Sequence, residues 1–223
     1  MNNVIMSAKG ISKSYQRGSE QVHALREVDF SIKAGEFVSI VGPSGSGKST
    51  LLHLLGLLET PSSGKIQIDG REMRGLKEPD LVKTRRGSIG FVFQQFLLLP
   101  TLTVRENIEL PLLFSKRTAR PGRIAEVMDL LGLSARSNHL PHQLSGGEMQ
   151  RVSIGRSLIN EPRIIMADEP TGNLDSATSE KIFTLFKKLN AGGLSLIIVT
   201  HNTELAGMAT RVVKLRDGGI VAG

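Results

Sequence analysis

The stretch that decides the fold is FVSIVGPSGSGKST, residues 37–50. Its first five residues form a nearly continuous apolar run, which is typical of a strand buried on both faces of a parallel sheet. The next nine, residues 42–50, match the pattern G-x-x-x-x-G-K-[ST] of a phosphate-binding loop, which needs a strand before it and a helix after it. The stretch therefore predicts an α/β fold built around a phosphate-binding loop.

Outward from this stretch, short apolar runs alternate with helical stretches. Further apolar runs of strand length occupy residues 89–93, 164–167 and 196–199. Stretches with helical spacing or strong helix formers occupy residues 48–58, 124–131, 148–159 and 177–189. Strands that alternate with helices predict a parallel sheet covered by helices. We therefore expect the RecA-like core of a P-loop NTPase.

Two regions depart from this alternation. Residues 97–158 are typical of successive helices, which predicts an α-helical subdomain inserted into the core; three prolines punctuate them, Pro111, Pro121 and Pro141. Residues 4–15 and 22–32 predict antiparallel strands and hence an N-terminal antiparallel β subdomain. We expect one domain over residues 1–223, with its core in residues 1–95 and 159–223 and the helical subdomain at about 96–158.

The composition excludes several function classes. The 223 residues contain no cysteine, so disulfides, thiolate metal sites and thiol nucleophiles are ruled out. The first residues lack the apolar core of a secretion signal, and no apolar run approaches the roughly 20 residues of a membrane-spanning helix. If the protein serves a membrane, we expect it to do so from outside the bilayer.

The net charge of +7 is compatible with nucleic acid, anionic lipid or a polyphosphate ligand. Two modest basic clusters contribute to this charge: Lys83, Arg85 and Arg86, and Lys116, Arg117, Arg120 and Arg123. Solvated helix faces are the simpler interpretation of both. Aromatic residues make up 4% of the chain, which leaves few stacking surfaces for single-stranded nucleic acid. We expect no nucleic-acid partner.

The phosphate-binding loop supplies most of a triphosphate site. Its glycines allow the backbone to turn N–H groups toward an anion, and the helix that starts near Lys48 adds the positive end of its dipole. Lys48 is expected to reach the β- and γ-phosphates, and the Ser49 hydroxyl is expected to bind Mg²⁺. The predicted cofactor-binding residues of the loop are Gly42, Pro43, Ser44, Gly45, Ser46, Gly47, Lys48, Ser49 and Thr50.

A second apolar strand, beginning near Arg163, ends in the acids Asp168 and Glu169. Asp168 is expected to hold Mg²⁺ through water, and Glu169 to polarise an attacking water as general base. A solvated strand end is the alternative, which the phosphate-binding loop disfavours. Together the two motifs predict a Mg-dependent nucleoside triphosphatase. The Asn/Thr-Lys-x-Asp motif with which a GTPase reads its base is absent from the sequence.

A third feature is the signature segment, Leu144-Ser-Gly-Gly-Glu-Met-Gln150. Ser145 and Glu148 match the capping box S-x-x-E at the start of a helix. The capping box does not explain Gly146 and Gly147. Exposed N–H groups at such a helix end form a second anion site, about 100 residues along the chain from the first.

With this segment, the whole chain resembles the nucleotide-binding subunit of ABC transporters, and the other motifs of that family occur in order. Gln94 resembles the Q-loop glutamine, and the sequence GNLD, which ends at Asp175, is similar to the D-loop. His201 resembles the switch histidine. Tyr15, which precedes Lys48 by 33 residues, resembles the aromatic residue that stacks on adenine.

The resemblance implies a homodimer in which each ATP lies between the loop of one copy and Ser145, Gly146 and Gly147 of the other; a heterodimer with a similar chain is the alternative. His201 is then expected to contact the γ-phosphate, and Asp175 to align the opposing site. Gln94 is expected to reach Mg²⁺ or the water while it senses the partner. The implied catalytic residues are Glu169, His201, Lys48 and Gln94. The implied Mg²⁺ ligands are Ser49, Gln94 and Asp168.

Residues 93–103 and 166–175 are similar to a subgroup that contains macrolide exporters, lipoprotein-release complexes and a cell-division pair. This implies an integral membrane permease on a separate chain and a peripheral location at the cytoplasmic face of the inner membrane. One alternative is an ATPase that regulates a cell-wall hydrolase through a membrane adaptor. A soluble ABC ATPase acting on DNA or ribosomes is disfavoured, because such relatives usually carry coiled-coil insertions or two cassettes. The apolar residues 96–100 are expected to contact a helix of the permease; packing within the subdomain is the alternative.

Overall fold

The computed structural model describes residues 3–115 and 120–221. The strands, in chain order, are β1 Val4–Arg17, β2 Glu20–Lys33, β3 Phe37–Val41, β4 Ser63–Ile68, β5 Arg71–Glu72, β6 Ile89–Phe93, β7 Ile164–Asp168, β8 Ser195–Val199, β9 Arg211–Arg216 and β10 Gly219–Val221. The α-helices are α1 Lys48–Leu55, α2 Glu78–Ser88, α3 Val104–Ser115, α4 Arg123–Leu130, α5 Gly146–Leu158, α6 Ser176–Ala191 and α7 Thr203–Ala206.

The larger sheet has the strand order β10-β9-β3-β8-β7-β6. Its strands are parallel except β10, which pairs antiparallel with β9. Ile197 of β8 packs in the same apolar cluster as α1, whereas its neighbours Leu196 and Ile198 pack with α5 and α6. Because helices cover both faces, β3 and β8 are buried along their whole length. The predicted α/β fold with a parallel core is confirmed.

The smaller sheet is antiparallel, in the order β2-β1-β4-β5. Buried side chains of β1 and β2, including Ile11 and Leu25, pack in one apolar cluster with Leu51 and Leu52 of α1. This packing brings β1 and β2 beside the helix that follows the phosphate-binding loop. The sheet agrees with the antiparallel strands predicted near the N-terminus.

Between β6 and β7 the chain forms α3, α4 and α5, but two details differ from the prediction. Residues 97–103 form a loop, not a helix, in which Leu99 N donates to Oδ1 of the buried Asn107 at 2.8 Å. Pro111 does not interrupt a helix, because it lies inside α3. A proline removes one helix hydrogen bond; the buried side chains of Val104 and Ile108 hold α3 in place.

The basic clusters are only partly solvated faces. Arg85 and Arg86 donate to the backbone carbonyls of Leu57 and Phe114, so both side chains brace the structure. Arg120 and Arg123 form ion pairs with Glu126 and Glu161. The cluster residues Lys116 and Arg117 lie outside the described residues.

Within the described residues, none of the helices combines the length and apolar character that a bilayer span requires.

Candidate active site

The predicted phosphate-binding loop joins β3 to α1. Gly47, just before α1, has φ 98°, a left-handed conformation that favours glycine. A Cβ atom on Gly47 would lie 2.4 Å from the Ala24 carbonyl oxygen of β2. A Cβ atom on Gly42 would lie 2.1 Å from the Leu215 carbonyl oxygen of β9. The loop is therefore held tightly between β2 and β9, and neither glycine tolerates a side chain.

The backbone N–H groups in the first turn of α1 are free to bind an anion at the phosphate-binding loop. No side chain caps this helix, so no capping group satisfies the N–H groups of its first turn. Lys48 Nζ donates to the carbonyl oxygens of Gly42 and Pro43, each at 2.9 Å, and its ammonium therefore lies over the loop. The helix end and the ammonium together form an anion site.

Ser49 and Asp168 meet although they are 119 positions apart: Ser49 Oγ donates to Asp168 Oδ1 at 3.1 Å. Ser49 lies in the first turn of α1, and Asp168 ends β7. Hydroxyl and carboxylate oxygens are the hard ligands that Mg²⁺ prefers, and Mg²⁺ usually takes few protein ligands. The pair therefore fits the predicted magnesium site. The described residues contain no cluster of three or more histidine or acidic side chains that could hold a metal alone.

Glu169 and His201 form a second pair. Glu169 Oε2 accepts the backbone N–H of His201 at 3.3 Å and lies 2.9 Å from His201 Nδ1. The backbone of Glu169 has φ 46° and its N–H donates to the Val199 carbonyl; such conformations are uncommon outside glycine and concentrate at functional sites. The Glu169 side chain is 18% exposed and that of His201 is 72% exposed. The carboxylate is thus held in place, while the imidazole is open to a ligand.

A cleft of about 430 Å³ brings these groups together. It is lined by Ala24, Ser44, Gly45, Gly47, Lys48, Ser49, Thr50, Glu169 and His201. Ala24 is not among the predicted residues and has no signal in the sequence, because β2 reaches the cleft only through folding. Among the described residues, the predicted site residues that do not line the cleft are Tyr15, Gly42, Pro43, Ser46, Gln94, Ser145, Gly146, Gly147, Asp168 and Asp175.

The signature segment forms the start of α5 with the predicted capping box. Ser145 Oγ accepts from Glu148 N at 3.3 Å, and Glu148 Oε2 accepts from Ser145 N at 2.8 Å. Glu148 Oε2 also accepts from Ser145 Oγ at 2.7 Å. The two hydrogen bonds that the Ser145 N–H and hydroxyl donate to this carboxylate lower the pKa of Glu148 below its usual range, and the charge of Arg136, 3.3 Å away, acts in the same direction. The reciprocal bonds fix the conformation of the helix tip.

Asp175 caps α6 and lies close to the signature segment of the same chain. Its Oδ1 accepts from Thr178 N at 2.9 Å and its Oδ2 from Thr178 Oγ1 at 2.6 Å, and these hydrogen bonds lower the pKa of Asp175. A Cβ atom on Gly147 would lie 2.6 Å from Thr178 Cγ2. Glycine at this position therefore allows α5 and α6 to approach.

Gln94 bonds to Asn173 in the sequence GNLD, which ends at Asp175, rather than to the Ser49–Asp168 pair. Its Nε2 donates to Asn173 Oδ1 at 3.2 Å, and Asn173 Nδ2 donates to the Gln94 carbonyl at 3.1 Å. Asn173 is not among the predicted site residues, and its place in the sequence GNLD is the only signal for it. The structure thus joins two of the predicted motifs through side chains 79 positions apart.

Tyr15 lies on β1 beside the cleft. Its Oη donates to Glu59 Oε2 at 2.7 Å. Burial raises the pKa of Tyr15, the hydrogen bond to Glu59 adds to this, and a hydrogen bond with Thr50 lowers it. Thr50 lines the cleft, so the Tyr15 side chain is next to the loop, and it is 37% exposed. This position is compatible with the predicted contact to a base.

Comparison with known proteins decides the family. The sequence profile described as "ABC transporter" matches residues 25–172, which is well over half of the chain. The chain belongs to the ABC transporter family. The resemblance seen in the sequence is therefore confirmed, and the chain is an ABC-type ATPase that binds ATP.

Members of the ABC transporter family match almost the whole chain. The macrolide export ATP-binding/permease protein MacB of Bdellovibrio bacteriovorus is 48% identical over 216 residues, which cover 97% of this chain but 33% of MacB. The ABC transporter ATP-binding protein MJ0796 of Methanocaldococcus jannaschii is 48% identical over 223 residues, covering 97% of this chain and 95% of MJ0796. A dimeric structure of the MJ0796 cassette in a post-hydrolysis state, bound to ADP and Pi, has a TM-score of 0.88 at 47% identity and covers 97% of both chains.

Proposed function

We propose that this ABC-type ATPase works as two copies that ATP holds together head to tail. One observation carries the proposal: the cleft is lined by the phosphate-binding loop, Glu169 and His201, while residues 145–147 do not line it. In this proposal the second phosphate-binding helix end therefore comes from another copy. The dimeric MJ0796 cassette, bound to ADP and Pi, supports this arrangement.

The roles of the remaining site residues follow from this arrangement. Lys48 and the loop N–H groups bind the triphosphate. Glu169 accepts the proton of the attacking water, and His201, held by Glu169, contacts the γ-phosphate. Tyr15 stacks on the adenine base. Asp175, next to the signature segment of its own chain, aligns the opposing site.

Ser49 and Asp168 would hold Mg²⁺ in this proposal, and Gln94 would reach the metal or the water. When bound there, Mg²⁺ would neutralise negative charge on the triphosphate. Gln94 has to leave Asn173 when it turns toward the cleft, because its amide now donates to that side chain at 3.2 Å. The binding of Mg²⁺ and nucleotide in the cleft is thereby linked to residues 172–175, which face the partner copy in the proposed dimer.

We further propose that the dimer drives a membrane permease carried on a separate chain, from the cytoplasmic face of the membrane. MJ0796, matched over 95% of its length, is named as an ATP-binding protein, which favours separate chains. The name of MacB joins an ATP-binding and a permease function in one protein, of which this chain matches 33%. We propose that the complex carries out one of three tasks: export, lipoprotein release or transmission of motion across the membrane.

The contact with the permease is proposed at residues 96–100, here called the coupling segment. Leu97 and Leu99 are 53% and 42% exposed, whereas Leu98 packs against the buried core. Arg156 donates to two carbonyl oxygens of the segment, at 2.6 and 2.9 Å, and so braces its backbone. Two exposed leucines on a loop with a fixed backbone form an apolar surface that a partner helix can contact.

We also propose that residues 96–158 form one inserted helical subdomain, which carries the coupling segment. The rest of the single domain, residues 1–95 and 159–223, is proposed as the core. In this division the coupling segment follows β6 and Gln94 directly along the chain. A shift of Gln94 is therefore transmitted to the segment over a few residues.

The test is reconstitution of the chain with a candidate permease in proteoliposomes and measurement of ATPase stimulation. Leu99→Asp is expected to keep the basal ATPase rate and to lose stimulation by the permease. Val212→Asp is a matched control, because Val212 is also 42% exposed and lies on β9, at the opposite side of the sheet from β6. Stimulation of Leu99→Asp at the wild-type level would remove the coupling segment from the proposal. A wild-type chain that no permease stimulates would count against the transport role.

A further inference from the structure

Beside the cleft, Glu59 lies at the centre of a cluster of polar side chains. Its Oε2 accepts from Tyr15 Oη at 2.7 Å and lies 3.1 Å from Lys13 Nζ. Its Oε1 lies 3.4 Å from His53 Nδ1. Lys13 in turn donates to the Thr60 carbonyl at 2.9 Å. Both carboxylate oxygens are therefore engaged, and the orientation of the Glu59 side chain is fixed.

The place of Glu59 follows from the way α1 ends. Leu57, just after the helix, has φ 58°, and Leu58 N donates back to the His53 carbonyl at 2.9 Å. The chain therefore reverses and brings Glu59 back beside His53. Because α1 begins at the phosphate-binding loop, one helix carries the anion site at its first turn and the Glu59 cluster at its last.

Near neutral pH, Glu59 is ionised and Tyr15 keeps its proton, because the pKa of Glu59 is lowered and that of Tyr15 is raised. Burial alone would raise the pKa of Glu59, but the hydrogen bonds from Tyr15 and Lys13 and the charge of Lys13 lower it below its usual range. Burial and the bond to Glu59 raise the pKa of Tyr15, so the phenol keeps its proton and donates. A bond to an ionised acceptor is stronger than one between neutral groups.

We propose that Glu59 is a positioning residue for the base end of the nucleotide, because its carboxylate holds the Tyr15 hydroxyl and so fixes the aromatic ring beside the cleft. This inference rests on the proposed stacking role of Tyr15. Lys13 Nζ lies over the Tyr15 ring, 5.1 Å from its centroid, which leaves the opposite face for a purine base. A ring that is already fixed loses less freedom when the base binds.

The experiment compares the affinity of the full chain for ATP with its affinity for inorganic tripolyphosphate, which has no base, by calorimetry. Glu59→Ala is expected to weaken ATP binding by about fivefold to tenfold, the lower part of the range for base–aromatic stacking. Tripolyphosphate binding should change by less than about twofold, because the loop and Lys48 are untouched. The KM for ATP should rise by the same factor while kcat holds.

Tyr15→Phe keeps the ring and removes the hydroxyl, so it should match Glu59→Ala, and the double variant should lose little more than either change alone. Glu59→Gln keeps an acceptor oxygen and should restore much of the ATP affinity. Glu109→Ala is the matched control, because Glu109 is also ion-paired and its side chain is 32% exposed, against 29% for Glu59. This control should bind both ligands like the wild type.

Two results would overturn the inference. One is wild-type ATP affinity in Glu59→Ala; the other is an equal loss for ATP and tripolyphosphate, which would indicate a general structural role. Tyr15→Ala separates this failure from a failure of the proposed stacking. If Tyr15→Ala also binds ATP normally, the stacking role is wrong. If Tyr15→Ala is weakened and Glu59→Ala is not, Tyr15 stacks without help from Glu59.

Discussion

Replacement of Glu169 by Gln is expected to slow hydrolysis strongly while it leaves the site in place. In the wild type, Glu169 Oε2 accepts the backbone N–H of His201 at 3.3 Å and lies 2.9 Å from its Nδ1. Gln has the same shape, and its amide oxygen can accept both contacts. The backbone bond from Glu169 N to the Val199 carbonyl is unaffected. The substitution therefore removes the ability to accept a proton and little else.

The magnitude follows from that single loss. A positioned general base contributes about 100-fold to 10,000-fold, so kcat should fall by that factor, equivalent to about 3–5 kcal/mol in the barrier. The affinity for ATP should stay within about twofold, because Lys48 and the loop donors are unchanged. The melting temperature should move by no more than about 2–4 °C, the shift that about 1 kcal/mol produces in a chain of this size.

The assay combines phosphate release at saturating ATP, calorimetry of ATP binding, and light scattering with and without ATP. Glu169→Gln should bind ATP, hydrolyse it slowly and accumulate as a dimer. Glu72→Gln, an exposed position on β5 away from the cleft, is the control and should hydrolyse ATP at the wild-type rate.

One outcome would refute the reasoning about Glu169. If this residue serves only to hold His201, Gln preserves that contact and kcat falls by less than about tenfold. A variant that binds ATP and hydrolyses it slowly but stays monomeric would leave the catalytic role intact. It would instead count against the proposed ATP-held dimer.

Three further predictions concern the loop and the signature segment. Gly42→Ala should lower the free energy of unfolding by about 1–3 kcal/mol, measured by chemical denaturation, because its Cβ would lie 2.1 Å from the Leu215 carbonyl oxygen; an unchanged midpoint would contradict this packing. Ser145→Arg should bind ATP like the wild type in calorimetry but form no ATP-dependent dimer in light scattering, because a bulky cation then occupies the helix tip that receives the second copy. The lowered pKa of Glu148 contributes stability that is present above its unfolded value near 4.5 and is lost as the pH falls through the folded value. Glu148→Gln should therefore flatten the acid side of the stability–pH curve, and identical curves would argue against the capping bonds.

The sequence predicted those parts of the site that lie within a single segment. The phosphate-binding loop, the buried strand before it and the capping box of Ser145 are all local patterns, because strands, tight loops and helix starts depend on neighbouring residues. Asp168 and Glu169 could be assigned for the same reason, since both come at the end of one apolar strand. The order of motifs then sufficed to recognise the family.

The sequence was misleading where tertiary packing outweighs local preference. Pro111 suggested a break, yet α3 runs through it because Val104 and Ile108 are buried in the core. Residues 97–103 suggested a helix, yet the buried side chain of Asn107 bonds to this stretch and holds it as a loop. Local propensity is a weak guide in both places.

By itself, then, the sequence determined the fold class and the family, and it predicted the residues that we propose to bind phosphate and metal. Only the tertiary structure decided which of them share a cleft, that Gln94 bonds to Asn173, and that Glu59 holds Tyr15. Those side chains are 79 and 44 positions apart. No local pattern specifies such pairs, because they meet only when the two sheets and the helices between them have packed.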